Sequence, residues 1–304
     1  MFQHLGHILP GLPYPYRGSA TDCPLCGSAS HAPIARWDRR LKRLTTRLCG
    51  ACGLFFTDPM PTEAELAAFY ARLYRFSYQG ACGGLSARHG RRKAAEARFR
   101  LGVLERVAGP LRGRRALEVG AGGGELVAAL ADAGARSEGL EPGGGGRDPR
   151  IARGTVAEAD YPAEAFDLIV CLHVLEHLRA PMPALDRLRR WLAPGGVLYL
   201  EVPNMQHYEP KGTLRFHFAH VLGFSGDNLK WAAAMAGFAC LSEEQETSLV
   251  LVRDDDPRGR AMPVDLAGTV KANRASYGAA LAPGARLVYE IGRIARLRRR
   301  ARIK

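Results

Sequence analysis

Apolar and polar positions alternate in blocks through the middle of the chain, and the blocks have the lengths of strands and helices. The apolar runs lie at residues 116–119, 139–140 with their flanks, 166–172 and 197–202. Helical stretches are predicted near residues 124–134, 181–193 and 226–236. Because strands that alternate with helices pair in parallel, the pattern predicts an α/β domain with helices on both faces of one sheet.

The segment before this domain is predicted to be helical. Asp58-Pro59-Met60-Pro61 interrupts the chain, and Thr62 with Glu65 forms a capping box that opens a helix to about Tyr74. Residues 86–108, rich in Ala, Arg and Glu, are predicted to form a second helix leading into the α/β domain. Tyr74 and Tyr78 are candidate lid aromatics, with ordinary helix packing as the alternative.

Four of the seven cysteines form two matched pairs near the N-terminus. The pairs are Cys23 with Cys26 and Cys49 with Cys52, and a glycine follows each pair. Two residues between thiolates allow both to face one ion, so the spacing predicts a closed Cys₄ site for a structural Zn²⁺. The basic run between the pairs is expected to lie on a solvated hairpin; it comprises Arg39, Arg40, Lys42 and Arg43.

The charge is unevenly distributed. The 304 residues carry 43 Lys and Arg against 30 Asp and Glu, for a net charge of +13. Residues 1–115 have 19 basic and 7 acidic side chains, residues 116–285 have 16 and 22, and residues 286–304 have 8 and 1. A basic excess favours anionic partners, but Arg outnumbers Lys 37 to 6, which coding bias also explains. The central block is therefore acidic between two basic ends.

The chain shows no apolar run of membrane-spanning length and no secretory leader pattern at residues 1–16. A cytoplasmic location is expected, where thiols stay reduced. At residues 286–304, apolar positions at helical spacing among arginines predict a basic amphipathic helix. Such a helix either contacts the anionic inner membrane face peripherally or packs on its own domain.

A glycine-rich turn follows the first apolar run of the α/β domain. Gly120, Gly122 and Gly124 allow a sharp turn and close approach of a ligand at the carboxyl end of a strand. A dinucleotide fingerprint requires a glycine where this chain has Glu125, and an acid there would repel a pyrophosphate. Glycines flanked by acids suit a positively charged ligand.

These residues resemble the class I S-adenosylmethionine-dependent methyltransferases, whose E-x-G-x-G-x-G motif is complete from Glu118 to Gly124. The resemblance implies a seven-stranded Rossmann-like sheet and S-adenosylmethionine as cofactor. It assigns Glu118 to the donor's amino group, Glu141 to its ribose hydroxyls, and the loop near Glu158 to its adenine. The implied cofactor-binding residues are Glu118, Gly120, Ala121, Gly122, Gly124, Glu141, Pro142, Glu158, Leu172 and His173.

The resemblance extends to a subgroup with a zinc-ribbon-like segment before the methyltransferase. Its motifs here are CPLCG, CGACGLFFTDPMPTEAELAAFY, EVPN and FHFAHVLGFSGDNL. Members are similar to sugar and cell-surface-glycan tailoring enzymes, so a small molecule, sugar or glycan precursor is the expected acceptor. The expected organisation is an arm at 1–20, the Cys₄ module at 21–58, a helical linker or lid at 59–110, the methyltransferase domain at 111–255 and an extension at 256–304.

An oxygen acceptor requires a base, and histidine titrates in the useful range. The candidates are His173, His177, His217 and His220, with His173 and His217 first. His173 and His177 with Glu176 also suggest metal ligands, but their order differs from H-E-x-x-H, which argues against a catalytic metal. Glu176 is expected near the mouth of the site or as a cap of the turn.

Two other functions remain open. An RNA methyltransferase would use the basic N-terminal segment to bind the phosphate backbone, although the acidic central block disfavours it. A non-catalytic binding protein would retain the fold without the reaction, which the intact glycine and acid motif disfavours. The oligomeric state is left open.

Overall fold

The structure is a computed structural model that describes residues 13–70, 87–143, 148–207 and 215–278. The strands are β1 (His31–Trp37), β2 (Arg43–Cys49), β3 (Phe55–Thr57), β4 (Arg115–Val119), β5 (Arg136–Glu141), β6 (Ile151–Arg153), β7 (Phe166–Leu172), β8 (Leu192–Glu201), β9 (Leu222–Gly223), β10 (Phe238–Gln245) and β11 (Ser248–Arg253). The helices are α1 (Glu63–Phe69), α2 (Ala87–Ala108), α3 (Glu125–Asp132), α4 (Pro181–Trp191), α5 (Gly226–Met235) and α6 (Leu266–Gly278), with a 3₁₀ turn at Leu175–His177.

The larger sheet has the strand order β10-β11-β8-β7-β4-β5-β6. The five strands from β4 to β8 pair in parallel, whereas β11 runs antiparallel to both β8 and β10. β7 reads FDLIVCL and is buried along most of its length, as a central parallel strand must be. This sheet with flanking helices confirms the predicted Rossmann-like class I methyltransferase fold.

The carboxyl ends of β4, β5, β7 and β8 meet at one edge of this sheet. β4 lies between β5 and β7, and β8 pairs with the far side of β7. Loops that leave these strands are therefore neighbours, and ligands of open α/β sheets bind at such an edge.

The cysteine segment forms a second sheet with the order β1-β2-β3-β9. Its last strand comes from the chain after β8, because Phe55 and Phe56 pair with Gly223 and Leu222. Leu54 and Phe56 share one apolar core with residues of the larger domain. In α6, the buried Asn273 donates to the carbonyl of Gly53 at 2.8 Å. The predicted segment 21–58 is thus integrated into the domain through a strand, a core and a helix.

The hairpin between β1 and β2 differs from the expectation. Lys42 is fully buried, with Nζ 4.8 Å from the centre of the Tyr14 ring. Asp38 is buried too, and it accepts hydrogen bonds from Tyr14 Oη and from the backbone of Arg40 and Lys42. The prediction of a solvated basic hairpin was wrong for Lys42, because its charged end is buried against the Tyr14 ring.

The capping box that opens α1 is confirmed. Thr62 accepts from the backbone N–H of Glu65 at 3.2 Å, and the Glu65 carboxylate accepts from the N–H of Thr62 at 2.8 Å. The described residues do not include the predicted end of this helix near Tyr74 or the lid candidates Tyr74 and Tyr78. They also leave out residues 1–12 of the predicted arm at 1–20 and the basic helix predicted at 286–304. Within the described ranges, no helix combines the length and apolarity needed to cross a bilayer.

Candidate active site

The turn from β4 into α3 is built by glycines with left-handed backbone angles. Gly120, Gly122 and Gly124 have φ of 78°, 54° and 86°. A Cβ on Gly120 would lie 2.6 Å from Val174 Cγ2, and one on Gly124 would lie 2.6 Å from Ile151 Cδ1. A Cβ on Gly122 would meet nothing within 4 Å. Two glycines therefore allow packing within the protein, and the middle one leaves open space for a ligand.

Glu141 ends β5 beside this turn. Its Oε2 accepts a hydrogen bond from the Gly122 N–H at 3.0 Å, and its Oε1 lies 3.4 Å from the Gly143 nitrogen. Backbone amides therefore fix the orientation of the carboxylate at the open glycine. A carboxylate has further acceptor sites, so it can still bind a pair of hydroxyls.

Glu118 lies beneath the turn, in β4. Only 7% of the residue is exposed. It accepts a hydrogen bond from the backbone of Val127, while its Oε2 has no hydrogen-bond partner in the described part of the chain. Burial raises the pKa of this carboxyl to about 8, and the nearby acids Glu125 and Glu141 add to the shift. A positively charged ligand group at this position would donate the hydrogen bond that Oε2 lacks.

This geometry fits the donor that the motif implies. Gly122 leaves room at the turn, Glu141 offers a fixed carboxylate, and Glu118 offers a buried carboxyl with an unsatisfied oxygen. A family model described as a methyltransferase domain matches residues 87–243, just over half of the chain. The chain belongs to the methyltransferase domain family.

Curated proteins similar to the methyltransferase domain include ubiquinone biosynthesis O-methyltransferases. The one from Cronobacter sakazakii is 31% identical over 119 residues, covering 35% of this chain and 49% of that protein. The one from Actinobacillus pleuropneumoniae serotype 7 is 32% identical over 125 residues, covering 35% and 53%. The chain thus spans about half the length of these curated relatives.

A solved structure is similar at lower identity. It is the 1,6-didemethyltoxoflavin-N1-methyltransferase of Burkholderia thailandensis with bound 1,6-didemethyltoxoflavin and S-adenosylhomocysteine. The match has a TM-score of 0.47 and 20% identity, and it covers 66% of this chain and 93% of that one.

The other predicted donor residues of the methyltransferase domain surround the same edge. Ala121 lies in the turn and is buried, and Pro142 follows Glu141. Leu172 ends β7, paired with Glu201 of β8. Glu158 lies beyond β6 at the surface, where its carboxylate accepts from the N–H and hydroxyl of Thr155 at 3.0 and 2.9 Å. Its adenine role stays a prediction.

His173 follows β7 with a φ of 54°. Its Nε2 lies 3.0 Å from Oε1 of Glu201, and Arg100 donates to the same oxygen at 2.9 Å. Burial lowers the pKa of His173, but the carboxylates of Glu176 and Glu201 outweigh it and raise the pKa to about 9. The imidazole is therefore protonated at neutral pH, and as a general base it would act only above about pH 9.

Glu201 and Arg100 are site residues that the sequence did not single out. Burial raises the pKa of Glu201, but hydrogen bonds from His173 and Arg100 outweigh it and lower the pKa to about 2. Glu201 had a signal, because it ends β8 and is the first residue of the EVPN motif. Arg100 had none, since it lies in α2, far along the chain.

Three of the four candidate histidines lie around Glu176, and the fourth, His217, contacts one of them. His173 Nδ1, His177 Nε2 and His220 Nε2 lie 3.5, 3.8 and 3.9 Å from Glu176 Oε1. The rings of His217 and His220 have centres 3.9 Å apart. Burial lowers the pKa of His217 and His220 well below the ordinary value, so both are neutral at neutral pH. Each candidate's role as the base stays a prediction.

Glu176 itself is not at the mouth of the site, and its side chain does not cap the turn. It lies in the 3₁₀ turn with 1% exposure, and neither carboxylate oxygen has a hydrogen-bond partner within the described ranges. The expectation was wrong because Glu176 points inward from the turn, toward the histidines.

The four N-terminal cysteines form one cluster. Cys23 Sγ and Cys52 Sγ are 3.6 Å apart, as are Cys26 Sγ and Cys49 Sγ. A disulfide needs about 2.05 Å, whereas sulfurs about 2.3 Å from a tetrahedral Zn²⁺ lie about 3.8 Å apart. The backbone N–H groups of Ala51 and Cys52 point at Cys49 Sγ, at 3.4 and 3.5 Å. The donor set and spacing therefore fit zinc.

Proposed function

We propose that the protein transfers a methyl group from S-adenosylmethionine to a small-molecule acceptor. The observation that carries the proposal is the open Gly122 beside Glu141 and the unsatisfied carboxyl of Glu118. Membership of the methyltransferase domain family supports it, as do relatives named as O-methyltransferases of ubiquinone biosynthesis.

When bound, the donor supplies an activated methyl group on a sulfonium, so the protein mainly holds two reactants in line. Glu118 would bind the donor's amino group, and the Glu141 carboxylate would accept from the two ribose hydroxyls. The turn at Gly122 would let the backbone contact the donor without a side chain between them. His173 keeps a positive charge between Glu176 and Glu201 at the rim, where its Nε2 donates a hydrogen bond to Glu201 at neutral pH.

The acceptor is proposed to be a sugar or cell-surface-glycan precursor with a hydroxyl group. The zinc-segment motifs support this assignment, because they resemble those of glycan-tailoring methyltransferases. The acidic central block, with 22 acidic and 16 basic residues, also disfavours a phosphate backbone at the site.

We also propose that Cys23, Cys26, Cys49 and Cys52 bind a structural zinc. The four thiolates would fill every coordination position, so the ion would stabilise the fold without joining the reaction.

Calorimetric titration with S-adenosylhomocysteine tests the donor site. Glu141→Ala is expected to weaken binding at least tenfold, because the ribose hydroxyls lose a fixed acceptor, while the melting temperature stays close to that of the parent. Asp160→Ala, whose side chain is 92% exposed, is the matched control and should bind normally. Equal affinity in Glu141→Ala would refute the ribose role.

The acceptor class is tested by measuring S-adenosylhomocysteine formation with a panel of nucleotide sugars, glycan precursors and RNA. Turnover with a sugar-containing acceptor supports the proposal. Turnover with RNA that falls steeply with salt would replace it with the nucleic-acid alternative. Absence of donor binding would indicate a non-catalytic protein.

A further inference from the structure

The Glu176 carboxylate is buried without the hydrogen bonds that usually accompany a buried carboxylate. Its side chain is 2% exposed, and neither oxygen has a hydrogen-bond partner in the described parts of the chain. Burying an ionised carboxylate costs several kcal/mol unless a cation or donors compensate it. Imidazole nitrogens of His173, His177 and His220 lie 3.5, 3.8 and 3.9 Å from Oε1, longer than ordinary hydrogen bonds. The protonated His173 is the one charged ring among them, and it is shared with Glu201, to which its Nε2 is closer, at 3.0 Å.

Neighbours of His177 orient its ring toward Glu176. Its Nδ1 lies 2.7 Å from the carbonyl oxygen of Ala219 and 2.5 Å from Tyr70 Oη, which itself donates to that carbonyl. A carbonyl oxygen only accepts, so Nδ1 carries the proton. Nε2 then keeps its lone pair, 3.8 Å from Glu176 Oε1. Metal-binding histidines are usually held in this way, by a hydrogen bond from the other nitrogen to a carbonyl.

His220 completes the cluster from another part of the chain. It lies 43 residues after His177, just before β9, and its Nε2 is 3.9 Å from Glu176 Oε1. Its side chain is 17% exposed, and its ring contacts His177 edge to face with centres 4.7 Å apart. One ligand atom from each of Glu176, His177 and His220 lies within 4.8 Å of the others. Around a zinc ion with bonds of about 2.0–2.2 Å, small rotations of these side chains would bring the three atoms into contact with it.

We propose that Glu176, His177 and His220 bind a divalent transition-metal cation such as Zn²⁺ or Mn²⁺. Two imidazoles and one carboxylate favour such ions over Mg²⁺ and Ca²⁺, which prefer oxygen ligands alone. The site is distinct from the Cys₄ cluster and lies next to the donor turn, since Val174 packs against Gly120. Three protein ligands leave coordination positions for water or for an oxygen of another molecule.

The test is a titration with Mn²⁺ of the 304-residue chain, prepared in the presence of zinc so that the Cys₄ cluster is filled first. Electron paramagnetic resonance follows the signal of free Mn²⁺, which is lost on binding. Mn²⁺ prefers oxygen and imidazole ligands to thiolates, so it reports on the proposed site. We expect one Mn²⁺ to bind per chain, and excess Zn²⁺ to displace it.

Glu176→Gln and His220→Gln each remove one ligand with little change of shape, and each should weaken Mn²⁺ binding at least tenfold. Glu164→Gln and His207→Gln are matched controls with exposed side chains, and both should bind like the parent. If one ligand variant fails to fold, the Mn²⁺ affinity of the other variant and the number of Mn²⁺ ions bound by the parent still test the proposal. The proposal is overturned if the parent binds no Mn²⁺, or if a folded ligand variant binds it equally well. Binding of S-adenosylhomocysteine is measured in a separate titration, so the Mn²⁺ result does not depend on whether the protein is a methyltransferase.

Discussion

The carboxyl of Glu118 couples protonation to stability. Burial raises its pKa from 4.5 to about 8, so between those values the folded protein binds a proton that the unfolded chain releases. Stability should therefore fall as pH rises through this window, by on the order of 3 kcal/mol.

Glu118→Gln should remove this slope, because the amide does not titrate. Urea unfolding at pH 5 and pH 8 measures the effect as the difference between the parent and the variant. The variant is expected to lose less stability than the parent between these pH values. Parallel pH profiles would show that Glu118 titrates as an ordinary glutamate.

Gly120 and Gly122 lie in the same turn but are expected to have different roles, Gly120 in packing and Gly122 in donor binding. Alanine at either position adopts a left-handed backbone, which costs roughly 1–2 kcal/mol. At Gly120 the new Cβ also lies 2.6 Å from Val174 Cγ2, whereas at Gly122 it faces open space. Gly120→Ala should therefore destabilise the fold by about 3 kcal/mol or more, and Gly122→Ala by about 1–2 kcal/mol.

Donor binding should show a different pattern from stability. Gly122→Ala is expected to weaken S-adenosylhomocysteine binding at least tenfold, because its methyl group occupies the space beside Glu141. Denaturant unfolding and calorimetry on both variants measure the two effects. A Gly122→Ala protein with unchanged affinity would place the donor elsewhere.

At the scale of elements, the sequence predicted the strand, the helix cap and the turn whose conformations depend on residues close together in the chain. β7 was predicted at its observed bounds from its apolar run, and the capping box of Thr62 and Glu65 was predicted from two residue types at the right spacing. The glycine turn was predictable because its conformation requires residues without a Cβ. These features depend on neighbours a few residues away.

The remaining features depend on contacts between distant segments. β9 has only two residues, and no local pattern distinguishes it; it becomes a strand because β3 pairs with it. The histidines were found individually, but the approach of His220 to Glu176 depends on the path of the chain from β8 to β9. Arg100 reaches Glu201 across 101 positions, and a single arginine in an arginine-rich helix has no distinguishing sequence pattern.

At the scale of the whole molecule, the cysteine cluster is joined to the site through β9. β3 starts three residues after Cys52 and pairs with β9, and β9 begins two residues after His220. Cys49, Cys52, Phe218 and Leu222 belong to one apolar core. A change at the cysteine cluster should therefore affect the segment that carries His217 and His220.

Cys26→Ser tests this connection. Loss of one thiolate should release zinc and lower the free energy of unfolding by about 3 kcal/mol or more, because the ion no longer constrains the two cysteine turns. Hydrogen exchange should accelerate in β2 and β3 and also at residues 221–223, since β9 pairs with β3.

Cys240→Ser, at a half-buried cysteine outside the cluster, is the matched control and should keep its zinc and its exchange pattern. Zinc loss with unchanged stability would show that packing alone holds this sheet. Faster exchange confined to residues 21–57 would show that β1–β3 lose protection without affecting β9. The cysteine cluster would then not stabilise the segment that carries His217 and His220.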